Sequence, residues 1–400
     1  MTSSAPLRTE IERVFPDRPF KIEFWDGSTL PPTDGGGPTF TLQSRKALGH
    51  ALRAPGQLGI GRAYVTGDID VDDLDAAMKV VLNWQPPAVD RKAQAKLALA
   101  ALRSAGPMIP PGAPAAELRP KGKLHTITRD KRSVRHHYDL PPEFFKLFLG
   151  ESFTYSCAIF SRGAATLDDA QRAKLDLVCT KLSLQAGQRV LDVGCGWGSW
   201  AIYAAKKYGV HVTGITLSEP QAQFARERAE AEGVGDKVDI RVQDYREIAG
   251  EQFDAIASIG MVEHVGENQI DVYAQQLRSM LPTGGRLLNH GIARLSPNAP
   301  NPGPFSERYV FPDGDPLPLS RIELALERAG FEIEHIEGFK DDYAETLRHW
   351  ARRLDDNIED ATRLAGAERV RVWRLYLRAA RNGFETGFTS IYQVRCHAAS

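Results

Sequence analysis

The chain predicts an α/β fold: a parallel sheet with helices on both faces and a helical insertion, preceded by a small N-terminal α+β domain. Three observations point to it. From about Ser133, short apolar runs alternate with stretches of helical period. Within that region Val190, Leu191 and Val193 form a buried-strand run that leads into the glycine turn Gly194-Cys-Gly-Trp-Gly198. Ahead of it a Pro/Gly-rich stretch, Gly106 to Pro114, breaks the periodicity and marks a linker.

The elements follow in order. Lys21–Trp25 and Thr39–Leu42 alternate as strands do, separated by Gly35-Gly36-Gly37. Gly59–Val71 precedes a helix over Leu74–Leu82, and a second helix covers Arg91–Arg103. A helix over Leu167–Leu182 then leads to the first strand of the large sheet, Arg189–Val193. Strands are expected at Val210–Ile215, Val238–Val242, Phe253–Ile259, Arg286–Ile292 and Phe331–Phe339, with helices at Glu219–Ala231, Ile270–Leu281 and Ser320–Ala329. Tyr343–Asn382 reads as the helical insertion and Ile391–Cys396 as a last strand. Its many arginines, Arg371, Arg378 and Arg381 among them, read as a solvated helix face. The proline-rich stretch from Arg294 to Leu319 is too long for an idle loop and suggests a lid. These assignments place a domain boundary near 125, giving an accessory domain with its linker over 1–125 and a catalytic domain over 126–400.

Composition bounds the function. At 42% apolar and 25% charged residues the chain resembles ordinary globular proteins. A formal net charge of −1 gives no pull toward nucleic acid, and none is expected as a partner. Basic residues do cluster between Arg91 and Arg135, as a solvated linker or a patch for anionic headgroups. The four cysteines show no metal or redox spacing and fit reduced thiols in the cytoplasm; no metal is expected. No segment approaches the roughly 20 apolar residues that span a bilayer. Contact with lipid, if it occurs, is peripheral.

The glycine turn is the strongest local signal. Gly194, Gly196 and Gly198 let the backbone turn sharply and approach a ligand where a Cβ would collide. The spacing is G-x-G-x-G, with Asp192 before it. The next strand, ending at Thr216, lacks the ribose-binding acid of a nicotinamide site, which favours S-adenosylmethionine over NAD.

Further motifs stand in a fixed order with that turn. They are His137-Tyr-Asp-Leu-Pro-Pro-Glu-Phe-Phe145, Phe153-Thr-Tyr-Ser-Cys-Ala158, Gly214-Ile-Thr-Leu-Ser-Glu-Pro-Gln221, Ser258-Ile-Gly-Met-Val-Glu-His-Val-Gly266, Leu288-Asn-His-Gly-Ile292 and Asp342-Tyr-Ala-Glu-Thr-Leu-Arg-His-Trp350. The ensemble closely resembles the cyclopropane-fatty-acyl-phospholipid synthases and the related mycolic acid cyclopropane synthases, strongly over about 130–395. The resemblance implies a Rossmann-like class I methyltransferase sheet. It also implies an enzyme that adds a methylene carbon from S-adenosylmethionine across a cis double bond of an unsaturated phospholipid acyl chain. Bicarbonate would serve as base, held by Cys157, Glu263, His290, the backbone of Ile292, and Tyr343. The cofactor would lie against Tyr155 and Ser156 at its methionine carboxylate and against Gly194 and Gly196 along methionine and ribose. Thr216, Leu217 and Gln221 would meet the ribose hydroxyls, and Asp244, Tyr245 and Ile259 the adenine. A homodimer and a location at the inner membrane surface follow only by family analogy. The pattern departs from the family at Pro141-Pro142 and at Val262, where an aromatic residue is common.

The residue types suit this chemistry. Alkene methylation leaves a carbocation that must be shielded from water, a task for aromatic faces such as Tyr138, Phe145, Phe153, Phe160 or Tyr309. A proton must then leave the new methyl group. His290 and Tyr343 can donate to a bound anion, and Glu263 can accept or orient. Taken alone, each residue has a plain reading: Cys157 as a small buried hydrophobe, Glu263-His264 as a helix start, Tyr343 as an ordinary aromatic. His137 reads as structural or substrate-side. Three alternatives stay open: proton loss from a neighbouring chain carbon to give a methylene branch, a methyltransferase for other substrates, and a non-catalytic lipid-binding protein.

Overall fold

In the first of two compact units, Ile22 and Leu30 supply the apolar face of a small sheet, buried under Leu7, Phe24 and Leu48. The computed structural model describes residues 3–118, 126, 129, 140–296, 303–310 and 314–400. The strands here are β1 (Lys21–Glu23), β2 (Thr29–Leu30), β3 (Thr39–Leu42) and β4 (Ile69–Val71), in the order β2-β1-β3-β4. The run Gly59–Val71 divides into a helix, Gln57–Val65, and β4. Gly59 permits this, since a Cβ there would lie 2.2 Å from the Ala54 carbonyl oxygen. Asp73 accepts from the N–H groups of Asp75 and Ala76 and so starts the helix Leu74–Asn83.

This unit is not contiguous in sequence. It comprises Met1–Leu118 together with Pro302–Val310 and Gly366–Asn382, segments that a single boundary near 125 leaves out. Two expectations change accordingly. Arg371 pairs with Asp70 at 3.1 Å, and Arg378 and Arg381 pair with Asp75 at 3.0 and 2.7 Å, so these arginines are tethers rather than a solvated face. Tyr309 donates to the Glu117 carboxylate, which also binds Arg62, giving that ring a structural task.

The second unit holds the large sheet, with seven strands in the order β10-β11-β9-β8-β5-β6-β7. They are β5 (Arg189–Val193), β6 (His211–Thr216), β7 (Val238–Val242), β8 (Ala255–Ile259), β9 (Arg286–Arg294), β10 (Phe331–Gly338) and β11 (Thr389–Ala398). The pairings of β5, β6, β7, β8 and β9 are parallel; β11 runs antiparallel to both β9 and β10. Central strands are mostly apolar because both faces are covered. Helices Leu167–Lys181, Ser199–Tyr208 and Glu219–Ala231 pack one face, through Val178, Ala201 and Ala225. Helices Ile270–Ser279 and Leu319–Arg328 pack the other, through Tyr273, Leu277 and Ile322. The expected insertion is three helices: Lys340–Asp356 and Ile358–Ala365 belong to this unit, and Ala367–Glu385 belongs mostly to the first. The described part of the proline-rich stretch carries a short helix, Pro304–Tyr309. Tyr138 and His137, with the rest of 130–139, and the parts of the expected lid at 297–302 and 311–313, lie outside the described residues.

Candidate active site

The carboxyl ends of parallel strands leave a crevice where neighbouring connections part, and this is where such sheets bind ligands. Here β5, β6, β7 and β8 end at Val193, Thr216, Val242 and Ile259. Gly194, Gly196 and Gly198 follow β5 at φ of 80°, 54° and 78°, left-handed values that side chains resist. A Cβ on Gly194 would come no closer than 3.6 Å to Met261, and one on Gly196 no closer than 4.0 Å to the Gln221 amide. The turn therefore opens on a cradle that a side chain would fill. Asp192 beside it is buried, and its Oδ2 has no hydrogen-bond partner among the described residues. Burial pushes its carboxyl up to about 7, opposed by the charge of Lys174. Open space, free backbone and an orphaned acid fit a cofactor carrying an amino-acid group and a ribose.

The residues expected around that cofactor are distributed along these strand ends. Thr216 closes β6, and its hydroxyl donates to Gln221 Oε1 at 2.8 Å. Leu217 follows, half-buried, and Ile259 closes β8. Asp244 and Tyr245 lie just past β7 in a short capped turn. The Asp244 carboxylate is gripped by Arg246 at 2.7 Å from both Nε and Nη2, so it faces a guanidinium of its own turn.

Tyr155, Ser156 and Cys157 are held by two elements. Gln171 donates from Nε2 to the carbonyls of Thr154 and Ser156, at 3.2 and 2.9 Å, and Lys174 donates to Ser156 Oγ at 2.8 Å. From the other side, Thr346 accepts from the Ala158 N–H, and Asp342 Oδ1 accepts from the N–H groups of Phe160 and Ser161. Thr346 and Asp342 lie on the helix that carries Tyr343.

Phe339 joins the expected anion-binding set. Its carbonyl lies 3.8 Å from Cys157 Sγ and accepts from the Tyr343 N–H, and its ring centroid is 6.3 Å from that of His290. His290 pairs with Ile259 in the β8–β9 register, and its carbonyl accepts from the Gly260 N–H. It is therefore not at the end of its own strand, as the sequence suggested, because β11 carries β9 on to Arg294. It lies instead level with the end of β8. Past that end the chain turns through Val262–His264, where the backbone N–H groups of Glu263 and Ile292 favour the charged form of the Glu263 carboxylate.

The electrostatics follow from burial. Desolvation pushes Glu263 up to about 7 and pulls His290 well below its usual range, with Lys174 and Lys181 adding to the second effect. Cys157 is raised well above the ordinary thiol range, so it stays a thiol rather than a thiolate nucleophile. Glu263 Oε2 and both ring nitrogens of His290 have no hydrogen-bond partner among the described residues. Buried polar atoms without partners are rare and call for an occupant. Aromatic rings wall this region: Tyr155 lies 5.3 Å from Trp350, Phe145 lies 5.3 Å from Trp197, and Tyr343 lies 6.2 Å from Trp350. Of the expected cation-shielding rings, Phe145 and Phe153 join this wall, whereas Phe160 stacks on His349.

Lys174, Gln171, Asp342, Thr346 and Phe339 were not anticipated. The first two had a signal: they interrupt the apolar stripe Leu167, Ala170, Leu175, Val178 on one helix.

Residues 125–394 match the mycolic acid cyclopropane synthetase family. The chain is 38% identical to a probable fatty acid methyltransferase of Mycobacterium tuberculosis, over 98% of its own length and 95% of the relative's. It is 33% identical to the cyclopropane-fatty-acyl-phospholipid synthase of Escherichia coli, over 85% of its length and 82% of the relative's. A solved mycolic acid cyclopropane synthase, crystallised with S-adenosylhomocysteine, superposes with a TM-score of 0.63 at 32% identity, covering 67% of this chain and 98% of that one. The chain thus belongs to the cyclopropane synthase family of S-adenosylmethionine-dependent methyltransferases.

Proposed function

We propose that this protein methylates a cis double bond of an unsaturated phospholipid acyl chain and closes the product to a cyclopropane. One observation carries the reading: buried Glu263 and His290 present unpartnered polar atoms at β8 and β9, the next two strands in the sheet from the one that leads into the open glycine cradle. A methyltransferase for amines or hydroxyls removes its proton from the attacking heteroatom, whereas an alkene releases one only from the newly transferred methyl group and so needs an acceptor held at that point.

S-adenosylmethionine, when bound, supplies an electrophilic methyl group. The protein's first task is alignment, which is worth about 7–11 kcal/mol of barrier for well-oriented groups. The glycine turn and the Thr154–Cys157 segment provide fixed walls for it. The second task is to shield the acyl-chain cation from water, and rings such as Tyr155, Trp350 and Tyr343 offer faces worth up to about 2 kcal/mol each when desolvated. The third is to accept a proton from the new methyl group. A bicarbonate ion held at Glu263, His290, Tyr343, Cys157 and the Ile292 N–H would supply that base. Neutral His290 can donate from one nitrogen, and the Cys157 thiol is likewise a donor rather than an anion. Glu263, poised near 7, can take the proton of the anion's own hydroxyl into a hydrogen bond. Every side chain named then holds the base, and none replaces it. Since no helix described is long and apolar enough to cross a membrane, access to the acyl chain is proposed to be peripheral.

A second reading, methylene-branch formation on the same alkene, is favoured by the similarity to a probable fatty acid methyltransferase over nearly the whole chain. Offering methyl-labelled cofactor with vesicles of unsaturated or of saturated phospholipid tests the shared step. Label is expected in the unsaturated lipid only; equal or absent labelling would refute both readings.

A further inference from the structure

Lys174 is a buried charge with no ion pair among the described residues. It lies on the inner face of helix Leu167–Lys181, 1% exposed, and among the described residues Ser156 Oγ is its one hydrogen-bond partner, at 2.8 Å. No carboxylate lies within ion-pair distance of it among the described residues. The charged and titratable groups that feel it are Cys157 beside Ser156, Asp192 at the end of β5 and His290 on β9. Lys181 from the same helix also reaches His290. An ammonium has three N–H donors, so two of its own remain to be met. Burying it this way is costly unless an anion completes the shell. Neighbouring Gln171 fixes the carbonyls of Thr154 and Ser156, so the hydroxyl that Lys174 contacts cannot drift.

We propose that Lys174 is a positioning residue of the active site: with Ser156 Oγ it forms a cationic back wall that orients a small carboxylate-type oxyanion in the cleft. That anion is the carboxylate of the bound cofactor or the bicarbonate base, both planar and of similar size. The proposal rests on the cleft binding S-adenosylmethionine. Burial draws Lys174 down to about 8, which leaves it mostly charged at pH 7, as the role requires. The same field favours neutral His290, the form that can both donate and accept.

Calorimetry of wild type, Lys174→Met, Lys174→Arg and Ser156→Ala tests this, using S-adenosylhomocysteine, its decarboxylated analogue and sodium bicarbonate as probes. Circular dichroism checks the fold, and nuclear magnetic resonance follows the His290 ring through a pH titration. Lys174→Met is expected to weaken one anionic probe at least tenfold and to raise the pH at which His290 titrates. Lys174→Arg should recover part of the binding, and Ser156→Ala should weaken the same probe by a smaller factor. Loss confined to S-adenosylhomocysteine, with its decarboxylated analogue unaffected, assigns the wall to the cofactor; loss confined to bicarbonate assigns it to the base. A folded Lys174→Met protein that binds both anions within twofold of wild type, with His290 unshifted, overturns the proposal. Wild type that fails to bind S-adenosylhomocysteine overturns instead the cofactor reading on which it rests.

Discussion

The backbone N–H groups of Glu263 and Ile292 favour the Glu263 anion, yet the carboxyl remains reluctant to ionise because burial outweighs both. Its proton affinity is raised on folding, so its contribution to stability is present at low pH and lost as pH rises from about 4.5 through 7. Glu263→Gln keeps the shape and removes that penalty. Unfolding by denaturant should show the variant more stable than wild type at pH 8, by up to about 3 kcal/mol, and nearly equal at pH 4. Turnover should fall about 100-fold or more. A variant that loses activity without this pH-dependent gain would mean that the carboxylate is solvated. His290 titrates the other way: its affinity is depressed, so its stabilising contribution holds above about 6.5 and is lost below. Cys157 is buried as well. Its buried thiol should resist iodoacetamide at pH 8 in the native protein and react once denatured; rapid native labelling would contradict the geometry.

Among the elements, the junction of β8 and β9 matters most. Gly291 leaves room that Val262 fills: a Cβ there would lie 2.1 Å from Val262 Cγ1 and 3.2 Å from Glu263 Oε2. Gly291→Ala must therefore displace the turn that carries Glu263. It should cost about 1–3 kcal/mol of stability, with turnover falling more than cofactor affinity; unchanged turnover would argue against Glu263. The site as a whole was partly legible in the sequence. The run Val190–Val193 and its glycines form a local pattern, so strand and turn could be placed without the rest of the fold. His290 could not be placed fully, because the length of β9 depends on pairing with Thr389–Ala398, about a hundred residues on. Gln171 and Lys174 were missed, although they break an apolar stripe. Asp342 and Thr346 gave no such signal, since their partners at Ala158, Phe160 and Ser161 are remote in sequence. The arginines of Ala367–Glu385 misled for the same reason: Asp70 and Asp75 lie some three hundred positions earlier.

At the scale of the whole molecule, the site is a reservoir of unmet polar demand. Asp192, Glu263, His290 and Lys174 are all buried with partners missing or few, and each lowers stability in the protein alone. Ligands that complete those shells should stabilise the fold by mass action, about 2.7 kcal/mol at a hundred times the dissociation constant. Thermal unfolding should rise with S-adenosylhomocysteine, and rise again with bicarbonate in wild type but not in Glu263→Gln. A bicarbonate effect of equal size in the variant would place the anion elsewhere. The proposed conversion of an acyl-chain alkene to a ring has a direct readout in proton magnetic resonance of phospholipid recovered after incubation with protein, S-adenosylmethionine and bicarbonate. New cyclopropyl signals far upfield are expected, with matching loss of vinyl signals; vinyl signals of an exocyclic methylene, or an unchanged lipid spectrum, would refute ring closure.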